Sequence, residues 1–225
     1  MRLRAPLVFL ASMLAFSQTP ERMEIVVEKK GPGGVTAMDP GHVFEPGELV
    51  RFRFKTNFRG YLYVLDRSTS GKSILLFPKE ETGRDNHVQS GREYLLPSSG
   101  AGWFKIEGPP GHEIVYWVIS PNDLAAREPA TPALSPIPSP LPDQLPAGVT
   151  PRCDDTVFRA RGDCVDVSAG VRPVSAQEAI PESVSHFGAG RDGDLIIARQ
   201  QNRTTISSPE PLGGPVIYQF HLAHK

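Results

Sequence analysis

The residues best placed to do chemistry begin with Asp66-Arg-Ser-Thr-Ser-Gly-Lys-Ser73, which ends in the Gly-Lys-Ser of a phosphate-binding loop. Such a loop needs Gly at its first position and must open a helix, so that backbone N–H groups converge on phosphate. Here the first position is Asp66 and the loop opens into Ile74-Leu-Leu-Phe77, which reads as a strand, so a hairpin turn is predicted. A calcium loop fails as well, because Phe77 stands where a bidentate Glu is required. The histidines are His42, His87, His112, His186, His221 and His224. They show neither the i, i+4 pair of a zinc hydrolase helix nor a tight spacing with cysteine, so no metal and no cofactor is predicted. His221 and His224 lie on one predicted strand and point to opposite faces. The Gly-x-Ser-x-Gly elbow of a serine hydrolase is missing. Glu80, Glu81, Asp154 and Asp155 fall in turn-like segments and are simplest as solvated groups. Paired-carboxylate catalysis stays open, because carboxylates distant in sequence can meet in space. No residue is assigned a catalytic role, and the ligand-binding residues are unknown at this stage.

Two short motifs carry less. Arg161-Gly-Asp163 could be displayed as an adhesion tripeptide, but a polar hairpin explains it equally well. Asn202-Arg-Thr204 is a glycosylation sequon, meaningful only in a eukaryotic secretory pathway. The aromatics Tyr61, Tyr63, Phe77, Trp103, Tyr116 and Trp117 would form a sugar-stacking platform only if several shared an exposed face; at strand spacing they read first as core.

These groups need a scaffold, and the chain outlines it. Its 225 residues allow one domain or two small ones. Net charge −1 gives no support to nucleic-acid binding, which needs a basic excess. Pro 23 and Gly 21 are too frequent for a helical bundle, while 39% hydrophobic residues suffice for a core. Met1-Arg-Leu-Arg4 followed by the apolar run Ala5 to Phe16 reads as a signal peptide, with Ala15 and Ser17 at the small positions before a cut between Ser17 and Gln18. The run is too short to cross about 30 Å of hydrocarbon, so the mature chain is expected to be periplasmic or secreted without a transmembrane span. Cys153 and Cys164 are then expected to form a disulfide, since that compartment preserves it and the neighbouring acids Asp154, Asp155 and Asp163 disfavour a reactive thiolate.

Strands are predicted over 23–29, 50–55, 60–65, 73–77, 92–96, 103–106, 113–119, 195–199 and 216–224. Val50, Phe52 and Phe54 alternate with Arg51, Arg53 and Lys55, the period of a half-buried strand. The runs 60–65 and 113–119 are apolar on both faces and belong inside a sheet. Nine prolines between Pro121 and Pro151 exclude a sheet interior there. Thr156 to Phe158 with Val165 to Val167 suggests a hairpin closed by the cysteines. Ser175-Ala-Gln-Glu178 has capping-box spacing for a brief helix cut off by Pro181. Residues 122–214 are poor in large apolar side chains, so 216–224 is expected to rejoin the sheet built by 22–120. The resulting expectation is all-β: one antiparallel sandwich, immunoglobulin-like in size, over 18–225. Within it, 122–214 is a mostly irregular, proline-rich, disulfide-pinned insertion before the closing strand.

The stretch from Phe44 to Ser120 also resembles a bacterial family, domain of unknown function 4384. The resemblance rests on Phe44-Glu-Pro-Gly47, Val50-Arg-Phe-Arg53, Gly60-Tyr-Leu-Tyr63, Leu75-Leu-Phe-Pro78, Asn86 with Ser90-Gly91, Leu95-Leu-Pro97 and Gly108-Pro-Pro-Gly111. It implies an extracytoplasmic or sensor-attached β domain and supplies no functional residues. The expected function is an exported, non-catalytic binding or protein-interaction module whose partner is another envelope or secreted protein. The alternatives are a small envelope hydrolase using dispersed His and Asp/Glu residues, or a carbohydrate-binding module.

Overall fold

The alternation of Val50, Phe52 and Phe54 with basic residues puts one face of their strand in the core and the other against solvent. The fold is that of a computed structural model, which describes residues 19–98, 102–124, 150–153, 164–174, 180–185, 187, 195–209 and 211–225. Its strands are β1 (Glu21–Gly31), β2 (Gly34–Met38), β3 (Val43–Phe44), β4 (Leu49–Thr56), β5 (Gly60–Arg67), β6 (Ser73–Phe77) and β7 (His87–Val88). They continue as β8 (Glu93–Leu96), β9 (Phe104–Lys105), β10 (Gly111–Ser120), β11 (Gly170–Pro173), β12 (Ile196–Gln200), β13 (Arg203–Ser208) and β14 (Val216–His224), with one short helix, α1 (Glu182–Ser185).

The strands form two sheets packed as a sandwich. The first runs β12-β13-β1-β4-β8, with β2 beside β1 and β9 beside β4. The second runs β11-β14-β10-β5-β6, with β3 beside β14 and β7 beside β5. Among the described residues the ladders are antiparallel except for β3 beside β14. As expected, β14 returns to the N-terminal sheet, pairing with β10 from Gly111↔His224 to Ile119↔Val216.

Between the sheets, Trp117 is fully buried, edge-on to Phe52 at 5.3 Å and Phe54 at 5.7 Å, and stacked on Tyr218 at 6.2 Å. The outer face of the second sheet is covered too: Tyr63, Leu65, Tyr116, Val118 and Ile217 pack under Val174 and, from α1, Val184. That second cover is why β5 and β10 are apolar on both faces. The exposed side of the first sheet is polar, and there Glu28 is clasped by Arg51 at 2.8 Å and Arg53 at 2.6 Å. Although burial opposes it, those two guanidiniums hold the Glu28 carboxyl below its usual range.

Several local expectations change. The hairpin over Ser68–Lys72 forms, closed by Ser68 N–H to the Lys72 carbonyl at 2.9 Å, with Gly71 at φ 80°. β13 is a strand that residue alternation did not announce, and β2, β3 and β11 are further additions. A short helix follows Pro181, whose carbonyl accepts the Val184 and Ser185 amides at 2.9 and 3.0 Å. The capping-box segment Ser175–Glu178 and the candidate strand Thr156–Phe158 lie outside the described residues, as do the signal segment 1–17, the proline-dense stretch and Arg161-Gly-Asp163. Val165 bridges His42 in front of β3.

Cys153 and Cys164 are bonded, with 4.8 Å between their Cα atoms. The feet of this loop are fixed: the Cys164 carbonyl accepts from Val43 N–H at 2.9 Å, and Asp166 accepts from Arg152 N–H at 3.0 Å. Replacing both cysteines by serine is expected to lower stability by about 3 kcal/mol, the chain-entropy cost of freeing a loop of this size. Equilibrium urea unfolding reads this, and a midpoint equal to the parent's would show that the bond contributes nothing.

Candidate functional site

The inward phase of three neighbouring strands ends in polar residues. On β5 the inward series is Leu62, Val64, Asp66; on β10 it is Ile119, Trp117, Val115, Glu113; on β14 it is Tyr218, Phe220, Leu222, His224. The register sets Asp66 opposite Val115 and Glu113 opposite Leu222, so all three polar groups converge at one end of the sandwich. His224, fully buried, lies with Nε2 3.2 Å from Glu113 Oε1, and Thr69 Oγ1 donates to that same oxygen at 3.4 Å. The Asp66 carboxyl meets that of Glu113, and Asp66 Oδ1 and Glu113 Oε2, both buried, have no donor other than a proton held between the two acids. Burial first, then the charge and hydrogen bond of Glu113, push the Asp66 carboxyl up to about 7, against a smaller opposing pull from His224. At neutral pH the Asp66 carboxyl is therefore close to half protonated.

Asp66 and Glu113 line a cavity of about 370 Å³. The first sheet side contributes Val50, Phe52, Phe104 and Ile106; β6 contributes Ile74 and Leu76. Register slips by one residue between Val64 and Leu65, leaving Leu76 as the extra residue of a bulge and turning it toward the core. Ile74 is paired with Asp66 and so faces inward, yet it is 40% exposed. β6 ends its sheet, and across the cavity the facing sheet presents Val50 and Phe52 of β4 and the two-residue β9. Lys105 and Glu107, joined at 2.7 Å, complete the lining.

A second polar group sits on the outer face, around β10, β11 and β14. His112 Nε2 is 3.2 Å from both Asp166 Oδ2 and Ser168 Oγ, and Ser168 Oγ donates to Asp166 Oδ1 at 2.5 Å. The three residue types are those of a hydrolytic triad, but the geometry is different. In a triad, serine and carboxylate bind opposite imidazole nitrogens; here both address Nε2. Burial would raise Asp166, but the Ser168 hydroxyl and the Arg152 and Ser168 amides outweigh it and hold the carboxyl low. This is a hydrogen-bonded turn anchoring the disulfide loop. Beside it His221 is pushed down to about 4, by burial first and then by Arg172 and His112.

The other candidates are dispersed. His42 packs edge-on to Phe44 at 4.7 Å and His87 lies 5.2 Å from Tyr61; the side chain of His186 is outside the described residues. Among the described residues no group of three or more His, Cys, Asp or Glu is arranged to hold a metal ion. Glu80 and Glu81 are exposed, and Asp154 and Asp155 are outside the described residues. Asn202 occupies the β12–β13 turn and donates to the Ala37 carbonyl at 2.8 Å. Of the six aromatics, Tyr63, Phe77, Tyr116 and Trp117 are buried, and half-buried Trp103 lies under the Arg51 guanidinium at 4.4 Å. Sequence reasoning met Asp66 only as the wrong first residue of a phosphate loop and passed over Glu113. The signal was there: each carboxylate stands two residues from a core side chain, in phase with the buried face.

No curated protein and no solved structure matches this chain. Residues 43–123, the stretch from β3 through β10 that supplies Asp66 and Glu113 of the cavity, match the family model described as Domain of unknown function (DUF4384).

Proposed function

We propose that the protein is an exported, non-catalytic interaction module that takes an extended segment of another envelope or secreted protein along β6. The observation that carries this reading is Ile74, an inward-facing side chain left 40% exposed over an open cavity at the last strand of its sheet. A strand added beside β6 would pair with the backbone edge ahead of Leu76, whose carbonyl already accepts from Thr82 Oγ1, and place alternate side chains over that opening. The disulfide is compatible with an extracytoplasmic location, as is the lack, among the described residues, of a helix long and apolar enough to cross a membrane. The test is amide hydrogen exchange of the full mature chain with and without a partner found by photo-cross-linking from position 75 in its native envelope. Added protection over Ser73–Phe77, and loss of both protection and cross-link in a folded Ile74→Lys variant, is the expected result. A cross-link unaffected by Ile74→Lys, with unchanged exchange in β6, sinks the proposal.

One observation favours a hydrolase as second reading: a carboxyl that titrates near 7 beside another carboxyl is suited to general acid–base work. Turnover of ester, peptide or glycoside substrates that disappears in Asp66→Asn would establish it. The carbohydrate-binding alternative gets no support from the tryptophans, one buried and one covered by Arg51.

A further inference from the structure

We propose that the end cavity is a receptor for a primary ammonium group on an aliphatic stem, the chemistry of a lysine side chain, with Asp66 and Glu113 as its acceptors. This deepens the strand-addition reading and rests on it for the source of the ammonium: a lysine of the added segment.

The geometry carries the argument. One oxygen of Glu113 is already engaged by His224 and Thr69, while Glu113 Oε2 and Asp66 Oδ1 find no donor in the fold other than the proton the two carboxyls share. Buried acceptors of that kind are costly unless a donor reaches them. Between them and solvent stand apolar walls, chiefly Phe52, Phe104, Ile106 and Ile74. A four-carbon stem is covered by such walls while its compact NH3+ presents three donors at the end. The acidic and basic side chains lining the space are Asp66 on β5, Glu113 on β10, Lys105 on β9 and Glu107 just beyond it, with His224 on β14 behind Glu113. Lys105 and Glu107 neutralise each other. The acid pair is left as the dominant field, attractive to a cation and repulsive to a carboxylate. An entering ammonium takes over the role of the shared proton, which is released. Binding should therefore tighten as pH rises from 6 to 8.

The experiment uses the intact mature chain and n-hexylammonium as probe, with n-hexanol as the isosteric neutral control. Methyl resonances of Ile74 and Ile106 report occupancy, and calorimetry in buffers of different ionisation enthalpy reports proton release. The expected result is saturable binding of hexylammonium at least about tenfold tighter than hexanol, the worth of a charge-assisted hydrogen bond. That preference is lost in both Asp66→Asn and Glu113→Gln. Equal affinity for the two probes, or hexylammonium binding unchanged in either folded variant, overturns the proposal. Failure here with β6 protection intact leaves strand addition standing on its own. Ammonium selectivity without any β6 protection leaves a small-amine site and removes the protein partner.

Discussion

Replacing Asp66 by asparagine is expected to stabilise the protein at pH 8 by roughly 2–4 kcal/mol and to turn a flat pH profile into one that rises with pH. The Asp66 carboxyl titrates near 7 in the fold against an ordinary value of 3.8. The folded state therefore holds the proton more tightly. Below about pH 4 both states are protonated and no penalty exists; between 4 and 7 the penalty grows; above 7 it is complete, about 4 kcal/mol at most. His221 acts in the opposite sense within the same window. Its folded value of about 4 lies under the ordinary 6.5. Its penalty is therefore full below 4 and gone above 6.5, about 3 kcal/mol. The two nearly cancel, and the parent should show a flat stability profile from pH 4 to 7. Asp66→Asn unmasks His221, so stability climbs with pH; His221→Gln unmasks Asp66, so stability falls with pH. Glu28 and Asp166, both held low, act mainly beneath this window and in all variants alike. Urea midpoints at a series of pH values decide the matter. Parallel profiles for parent and Asp66→Asn would show that the carboxyl is not burdened as its surroundings imply.

Trp117→Ala should cost about 3–5 kcal/mol, the loss expected for truncating a fully buried large aromatic. The indole is wholly enclosed, with Phe52 and Phe54 edge-on from one sheet and Tyr218 stacked from its own. Its Nε1 finds no hydrogen-bond partner. The residue therefore contributes by packing alone, and Trp117→Phe should cost far less than Trp117→Ala, because it keeps a ring against both sheets and removes an unsatisfied donor. If Phe proved as damaging as Ala in urea unfolding, shape-specific packing of the indole would not be replaceable by area. A loss under 1 kcal/mol in Trp117→Ala would show that the core closes over the gap.

How far the sequence could be read follows from which side chains each strand buries. β4 was legible because Phe52 and Phe54 alternate with Arg51 and Arg53; β5 and β10 were legible because both their faces are covered. β13 was not, because Arg-Thr-Thr-Ile-Ser-Ser buries only Thr204 and Ile206, too few apolar residues to show a period. The helix over Glu182–Ser185 was not legible either, because four residues with one buried apolar side chain, Val184, are too few to show a helical period. For the site, the in-phase carboxylates were present as residues but not as a pair. Asp66 and Glu113 are 47 positions apart and His224 another 111 on. By itself, then, the chain determined its class, its disulfide and its buried faces, since side-chain period and local chemistry act over a few residues. Tertiary structure alone decided that β5, β10 and β14 would be neighbours and that Ile74 would stay 40% exposed beside the cavity. Strand order depends on long-range pairing that no local pattern encodes, and that pairing is what turns three strand-end polar residues into one acidic cavity.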